Sequence, residues 1–258
     1  MKLVKLGGSV ITDKSKLRRF RNASCARLAK ELRVVDDGLG IVHGAGSFGH
    51  IEAKRHSLHQ GLKDDSQLRY VAKVQRDVRE LNLKVLECLI DKGIRAVSVP
   101  PAAAAVFTDG QVHSFDPEPF KSVLKLGLTP VTFGDVVPDE SMGFSICSGD
   151  LMMEALARAF KPSLVVFCAD VDGVFEADPK RNKRARLMPV IDANSLRSLR
   201  RTQSKSVDVT GSIYSKLERM LAIAKDCEKC MIVNGNVPGR LEKALLGKDV
   251  MSTVVVPG

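Results

Sequence analysis

The stretch GIVHGAGSFGH, residues 40–50, places three glycines as Gly44-x-Gly46-x-x-Gly49 directly after an apolar run. Glycines in a turn after a strand let the backbone approach a phosphate closely, because no Cβ stands in the way. The stretch therefore predicts a β-strand that ends in an anion-binding loop.

Taken alone, the pattern also matches the dinucleotide-binding fingerprint, with Asp64 or Asp65 near the spacing of a ribose-binding carboxylate. That fingerprint normally opens a helix packed on a sheet, whereas residues 50–61, HIEAKRHSLHQG, are polar and broken in pattern. A nicotinamide dehydrogenase also leaves the lysines beside other glycine turns unexplained. We therefore disfavour a dehydrogenase, and expect no enhancement of NADH fluorescence.

Short Val- and Ile-rich runs alternate with longer helical stretches along the chain. The runs lack polar alternation, which is typical of strands buried on both faces. Such alternation predicts a mostly parallel sheet between helix layers, and 258 residues suit one α/β domain. Predicted strands are 3–6, 40–43, 96–99, 129–133, 164–168, 231–233 and 253–256, with a hairpin over 136–146 and helices over 22–35, 65–93, 148–160 and 210–226.

The chain is basic, with a net charge of +10 and a pI near 9.4. The excess of Lys and Arg lies in residues 14–21, 180–186 and 197–205. Nucleic-acid binding is one explanation of such runs. No aromatic residues interleave with the last two runs and no nucleic-acid motif is present. A basic surface around a site for small polyanions is therefore favoured, and the polar region 176–206 is expected to be a mobile excursion.

The six cysteines and the apolar runs indicate the compartment. Cys227 and Cys230 form a lone CxxC without a second pair, so we expect reduced structural thiols that close a helix and open a strand. No apolar run is long enough to span a bilayer, and the N-terminal stretch turns glycine-rich too soon for a signal peptide. We expect a cytoplasmic protein without a membrane partner.

Four further segments carry residues that phosphate chemistry uses at strand ends and helix starts. Each has an ordinary explanation as well: a Gly-Gly turn, a helix cap at Ser148 or Asp150, an Asp-Gly turn, and a cap at Thr210. Lysines on both sides of the first turn favour phosphate binding. The segments are KLVKLGGSVITDK (2–14), CSGDLMM (147–153), CADVDGVFEADPK (168–180) and SVDVTGSIYSKL (206–217).

Taken in order, the segments resemble the amino acid kinase superfamily, on the motifs KLGGSVI, VHGAGSFGH, SGD, DVDGVFEADPK and DVTGSIYSKL between residues 3 and 217. With His50 after the glycines, the chain resembles the isopentenyl phosphate kinase family, which makes isopentenyl diphosphate from isopentenyl phosphate and ATP in the alternative mevalonate route. One departure is Ser212, where many relatives have a second glycine. Serine is small, so we expect an adjusted loop that still binds the nucleotide.

The resemblance implies a three-layer αβα sandwich, a homodimer, ATP and Mg²⁺ held mainly by the ATP phosphates. It also implies a phosphoryl-acceptor half over 1–160 and a nucleotide half over 161–258. Among the expected catalytic residues, Lys5 and Lys216 hold the ATP phosphates, Lys14 stabilises the transferring group, and Asp150 orients the lysines or a magnesium. ATP-binding residues are expected to be Lys5, Leu6, Gly7, Gly8, Ser9, Gly46, Asp170, Val174, Phe175, Gly211 and Lys216; acceptor-binding residues are Ala45, Gly46, Gly49, His50 and Gly149.

His50 is a sensible donor to the acceptor phosphate, because a nearby dianion raises the pKa of an imidazole. A surface or capping histidine is its ordinary alternative. A metal site shared by His50, His56 and His59 is disfavoured, because kinases use oxygen-bound magnesium. For the isoprenoid tail we expect an apolar slot at Tyr70, Val74, Val131 and Ile146, although residues at such spacing are more often plain core.

The acceptor itself is left open by the residues. The main alternative is another superfamily kinase that acts on a different small phosphate, on a carboxylate or on UMP.

Overall fold

The computed structural model describes residues 1–177, 182, 184–203 and 211–257. Its strands are β1 (Lys2–Leu6), β2 (Leu39–His43), β3 (Ala96–Ser98), β4 (Ala105–Thr108), β5 (Gln111–Phe115), β6 (Thr129–Phe133), β7 (Asp135–Asp139), β8 (Gly143–Cys147), β9 (Leu164–Ala169), β10 (Val174–Phe175), β11 (Leu187–Met188), β12 (Val190–Ile191), β13 (Cys230–Asn234) and β14 (Ser252–Val255). Its α-helices are α1 (Gly8–Ile11), α2 (Asn22–Leu32), α3 (Gly46–Arg55), α4 (Leu68–Ile90), α5 (Glu118–Lys125), α6 (Gly149–Phe160), α7 (Ala193–Gln203), α8 (Gly211–Ala224) and α9 (Arg240–Leu245).

The main sheet has the strand order β12-β14-β13-β9-β1-β2-β6-β3 within the described residues. Its pairs are parallel except that β14 runs antiparallel to β13. The mostly parallel sheet and all seven predicted sheet strands are thereby confirmed, and no strand end differs by more than one residue. The hairpin predicted over 136–146 is also present, as β7 and β8.

Helices cover both faces of this sheet, which confirms the three-layer αβα prediction. Alternate residues of β1 show the division: Leu3 packs with α6 and α8, whereas Val4 packs with α2, α4 and α9. Both side chains are fully buried. Because the central strands are covered on both faces, their apolar residues follow one another without polar alternation. No helix in the described ranges is long and apolar enough to span a bilayer.

Residues 50–61 are more regular than their sequence predicts. The expectation of a broken stretch was wrong for 50–55, because α3 begins at Gly46 and continues to Arg55. Glu52 is buried against α4, and its carboxylate accepts hydrogen bonds from Lys73 Nζ at 2.8 Å and Arg55 Nη1 at 2.7 Å. A polar helix can thus pack on a neighbour when ion pairs satisfy its buried group.

Two other stretches also contain unpredicted structure. The β4–β5 hairpin and α5 fill residues 105–125, where no elements were expected. In the region 176–206, the expected excursion was wrong for 187–203, which hold β11, β12 and α7; β12 pairs with β14 at the edge of the main sheet. Residues 178–181, 183 and 204–206 lie outside the described part of the chain. All six cysteines are free, and Cys230 opens β13, as predicted.

Candidate active site

The carboxyl ends of β9, β1, β2 and β6 lie side by side, and the loops after them enclose a large cavity. Its volume is about 780 Å³. Ligands of open α/β sheets bind at such an edge. Of the predicted site residues, the cavity is lined by Lys5, Gly7, Gly8, Ser9, Lys14, Ala45, Gly46, Gly49, His50, Val74, Ile146, Gly149, Asp150 and Lys216.

The first two glycine turns pack backbone against backbone beneath this cavity. A Cβ on Gly8 would lie 2.8 Å from Gly46 Cα, and a Cβ on Gly44 would lie 2.9 Å from Gly8 N. Gly46 has φ +49°, and a Cβ there would lie 2.2 Å from Thr12 Oγ1. That hydroxyl donates to Gly8 O at 2.6 Å and accepts from Ser47 N at 3.0 Å. Glycine is therefore required at these positions because the two loops touch, whether or not a phosphate also approaches them.

Lys5 lies near the end of β1, and only 8% of its side chain is exposed. Its Nζ is 2.5 Å from Asp150 Oδ1 and 5.8 Å from the centroid of the Phe167 ring. Burial lowers the pKa of Lys5 to about 8; the Asp150 carboxylate opposes this effect, and the charges of Lys216 and Lys14 add to it. An ammonium group held in this way is stabilised when an anion enters.

Asp150 lies in the first turn of α6, where the helix dipole favours negative charge. Ser148 caps the helix, since its Oγ accepts a hydrogen bond from Leu151 N at 3.2 Å. Burial opposes ionisation of Asp150, but the charges of Lys5 and Lys216 outweigh it and lower the pKa of the carboxyl. The sequence left open whether Ser148 or Asp150 caps the helix. In the structure Ser148 is the cap and Asp150 pairs with Lys5.

Three more charged groups reach the site from separate elements. Lys14 lies in the exposed loop after α1, and Lys216 lies on α8. Asp170 follows β9 and accepts a hydrogen bond from Ser9 Oγ at 2.9 Å. Burial acts to raise the pKa of Asp170, but the Ser9 bond and the Lys14 and Lys216 charges outweigh it and leave the pKa lowered. The lysines and carboxylates therefore form one interacting cluster.

His50 lies on α3 with its ring open to the cavity, one turn after the glycines. Burial lowers the pKa of the His50 imidazole, and the charges of Lys14 and Lys5 lower this pKa further. The Asp150 carboxylate acts in the opposite direction. In the ligand-free site the ring is therefore neutral near pH 7. A phosphate dianion would reverse this balance.

The cavity has an apolar arm beside His50. Val74 of α4 and Ile146 of β8 line it, as predicted for the tail slot, and Val136 of β7 joins them. Val131 was expected there, but its side chain is fully buried among the apolar residues under α2 and α4. Val131 therefore belongs to the core, and Val136 of the β7–β8 hairpin is the valine that lines the arm.

Tyr70 does not line the cavity. Its ring stacks on His56, with centroids 3.3 Å apart and an interplanar angle of 10°, and it packs beside Val74. The stack places His56 against α4 and away from His50. No group of three His, Cys, Asp or Glu side chains in the described ranges is placed to hold a metal.

Several predicted nucleotide residues lie apart from the cavity lining. Leu6 is fully buried in the core, and Val174 and Phe175 form β10, which pairs with β11 beyond the end of β9. Asp172 binds Arg240 and accepts from Asn234 Nδ2 at 3.0 Å. Gly211 begins α8, but Asp178, Asp208 and Thr210 lie outside the described residues.

Two charged residues of the cavity were not predicted from the sequence. Lys54 lies four residues after His50 on α3, which places both on one helix face. Asp135 follows Gly134 at the end of β6; burial raises the pKa of its carboxyl to about 6, against the opposing charge of Arg79, whose Nη1 lies 3.0 Å away. The helical spacing from His50 could have indicated the first residue, and the Gly-Asp after a strand could have indicated the second.

Comparison with known proteins agrees with this architecture. The amino acid kinase family model matches residues 1–234. An isopentenyl phosphate kinase of Thermoplasma acidophilum is 38% identical over 99% of this chain and 100% of its own length. Another, from Methanothermobacter thermautotrophicus, is 37% identical over 98% of each chain.

The structural likeness covers the same extent. A crystal structure of isopentenyl phosphate kinase superposes with a TM-score of 0.86 and 33% identity, over 99% of this chain and 100% of that chain. The fold is therefore shared over the full length of the chain. The chain belongs to the amino acid kinase family.

Proposed function

We propose that this chain transfers the γ-phosphate of ATP to isopentenyl phosphate, giving isopentenyl diphosphate and ADP. The observation that carries the proposal is one cavity in which a cluster of lysines and His50 adjoins an apolar arm. Positive charge suits two phosphate groups, and the arm suits a short hydrocarbon tail. The full-length similarity to isopentenyl phosphate kinases supports the same assignment.

The reaction needs positioning more than a strong base. An acceptor phosphate oxygen that carries no proton attacks the γ-phosphorus, while the bond from that phosphorus to the β–γ bridging oxygen breaks and ADP leaves with that electron pair. Two polyanions must approach in line, so their repulsion is the main obstacle. The cations of the cavity reduce this repulsion.

The donor phosphates are assigned to the β1 side of the cavity. Lys5 and Lys216 bind them, Asp150 holds Lys5 in place, and Lys14 stabilises the transferring group. Backbone N–H groups of Gly8, Ser9 and Gly46 add donors, whereas Gly7 N already donates to Cys168 O at 2.9 Å. Asp170, Val174, Phe175 and Gly211 adjoin the nucleotide. We assign the rest of the nucleotide to residues 161–258, the proposed nucleotide half, and residues 1–160 are the proposed acceptor half, whose β1 loop also contacts the donor phosphates.

The acceptor phosphate is assigned to the loop between β2 and α3 and to the start of α6. His50 donates to it, and Ala45, Gly46, Gly49 and Gly149 surround it with backbone. The tail then lies along Val74, Val136 and Ile146. Since His50 is neutral in the empty site, binding of the dianion draws a proton onto the ring.

Mg²⁺ is proposed to enter on the ATP phosphates. Among the described residues, the cavity carboxylates Asp150 and Asp135 are paired with Lys5 and Arg79, and no cage of three ligands exists, so we assign the ion's protein contact to Asp170. Magnesium commonly binds through one or two carboxylates and the substrate phosphates. When bound, it neutralises charge on the donor phosphates.

A homodimer in the cytoplasm completes the proposal. Leu83 and Ile90 of α4 are 59% and 56% exposed and lie seven residues apart, on one helix face; Val97 on the edge strand β3 is 36% exposed. These apolar groups would be covered by a second copy. The free cysteines suit a reducing compartment. Light scattering of the purified chain measures the mass directly, and Leu83→Glu should reduce a dimeric mass to that of a monomer.

An ADP-release assay tests the activity. Purified protein is incubated with ATP and Mg²⁺ and with isopentenyl phosphate, UMP, glutamate or aspartate in turn. We expect turnover with isopentenyl phosphate alone, and phosphorus NMR of the product should show a diphosphate. Turnover of UMP or an amino acid without turnover of isopentenyl phosphate would assign the chain to another activity of the family.

A further inference from the structure

The loop that carries Lys14 is closed by backbone contacts at its base. Thr12 and Phe20 form an isolated antiparallel bridge, and Asp13 N donates to Arg19 O at 2.8 Å. Lys14 directly follows Asp13 in this loop; it is exposed, and it also lines the cavity. These backbone contacts fix the base of the loop. Other contacts must fix the orientation of the rest of the loop relative to the cavity.

Arg18 supplies contacts to two helices. Its backbone N donates to Ser47 O at 3.2 Å, in the first turn of α3. Its guanidinium forms an ion pair with Glu80 of α4, and its Nε lies 3.5 Å from Asp77 Oδ1 on the same helix. The loop is therefore held against the helix that carries His50 and against the neighbouring α4.

Two features of this arrangement are energetically unfavourable by themselves, which indicates that the contacts of Arg18 hold it in place. Arg18 has φ +53°, a left-handed conformation that a residue with a Cβ adopts only when its surroundings hold it. Asp77 is fully buried, and its Oδ2 has no hydrogen-bond partner among the described residues. Because a buried carboxylate needs nearby positive charge, Asp77 holds the guanidinium of Arg18 in addition to that of its neighbour Arg76.

We propose that Arg18 is a positioning residue for Lys14: through Glu80 and Asp77 it orients the loop 13–19 so that the Lys14 ammonium reaches the phosphates. The inference rests on the proposed function, since it assumes that Lys14 acts on the transferring phosphoryl group. Arg18 lies outside the cavity lining, so it acts through Lys14 and not on substrate.

Kinetics of Arg18→Gln and Glu80→Gln test the proposal, with Arg33→Gln as control, because Arg33 is an exposed arginine at the end of α2. For Arg18→Gln we expect kcat to fall about tenfold while both KM values change little, since a small misplacement of a catalytic group costs rate. Glu80→Gln should lower kcat less, because Asp77 remains. The control should match the parent chain.

A double variant separates positioning of Lys14 from a general structural role. In a Lys14→Ala background, Arg18→Gln should leave the remaining kcat unchanged, because the group that it positions is absent. An equal loss of kcat in both backgrounds would overturn the proposal. A rise in both KM values at constant kcat would overturn it too.

Amide hydrogen exchange tests the tether independently of the substrate. Arg18→Gln should speed exchange in peptides covering 13–19, and Arg33→Gln should not. Faster exchange in a chain that does not phosphorylate isopentenyl phosphate would support the tether and reject the proposed function. Unchanged exchange together with unchanged kcat in an active enzyme would reject the tether alone.

Discussion

Lys5 Nζ lies 2.5 Å from Asp150 Oδ1, although one residue lies near the end of a central strand and the other lies in the first turn of a helix 145 positions later. The pair exists because β1 and the start of α6 meet at the same edge of the sheet. Burial lowers the pKa of Lys5 and Asp150 opposes this effect, so the carboxylate keeps the ammonium charged near neutral pH.

The first prediction concerns the pH dependence of this pair. With a pKa of about 8 in the free enzyme, Lys5 is charged below pH 8 and loses its proton above it, so kcat/KM for ATP should fall as the pH rises through that value. Asp150→Asn removes the group that raises the pKa of Lys5. The falling limb should then move to lower pH, and steady-state kinetics between about pH 6 and about pH 9.5 would show the shift. Identical profiles for the two proteins would contradict the role of Asp150.

A second prediction concerns His50. Its replacement by Ala or Gln should raise KM for isopentenyl phosphate about tenfold or more, because a charge-assisted hydrogen bond is lost, while KM for ATP stays near the parent value. Equal acceptor kinetics in parent and variant would remove His50 from the site.

Proton uptake provides a separate test of the same residue. The ring is neutral in the empty site and gains a proton when the dianion binds, so titration calorimetry near pH 7 should show a heat that depends on the buffer. Acceptor affinity should increase as the pH falls toward the usual pKa of histidine. His50→Gln should lose the part of the proton uptake that belongs to the ring.

A third prediction follows from the contact of the glycine turns. Gly46→Ala forces a Cβ to within 2.2 Å of Thr12 Oγ1 at a positive φ, whereas Gly93 has φ +83° and a Cβ added there would meet nothing within 4 Å. Gly93→Ala should cost about 1 kcal/mol of unfolding free energy from the backbone alone. Gly46→Ala should cost more and lower kcat, since the clash moves both loops. Urea denaturation compares them, and equal losses would show that the loops can separate freely.

The fourth prediction separates the apolar arm from the core. Ile146→Ala should raise KM for isopentenyl phosphate several-fold, because each lost methylene contact is worth about 0.8 kcal/mol when fully buried. Val131→Ala should instead lower the unfolding free energy by about 1–3 kcal/mol and leave that KM unchanged, since its side chain lies in the closed core. A rise in KM for isopentenyl phosphate in Val131→Ala, without a loss of unfolding free energy, would place Val131 in the tail slot after all.

Local patterns predicted much of this molecule. Val- and Ile-rich runs between helical periods identified the central strands, since strands covered on both faces need apolar residues throughout. The glycine turns and nearby lysines marked the loops of the site, because parallel strands bring their carboxyl ends to one edge. Where a stretch depended on remote partners, the local pattern failed. Residues 46–55 form a helix whose buried Glu52 is paired with Lys73 of α4, a partner that the local pattern does not show.

The amino-acid sequence by itself thus determined the α/β class and the order of the glycine loops, and it predicted the kind of group that they bind. These features depend on periodicity and on residue chemistry, which are local. Only the tertiary structure decided that Val136 and not Val131 faces the apolar arm, that Gly46 makes room for Thr12, and that Arg18 reaches α4. Such facts depend on the register and crossing of distant elements, which no single stretch encodes.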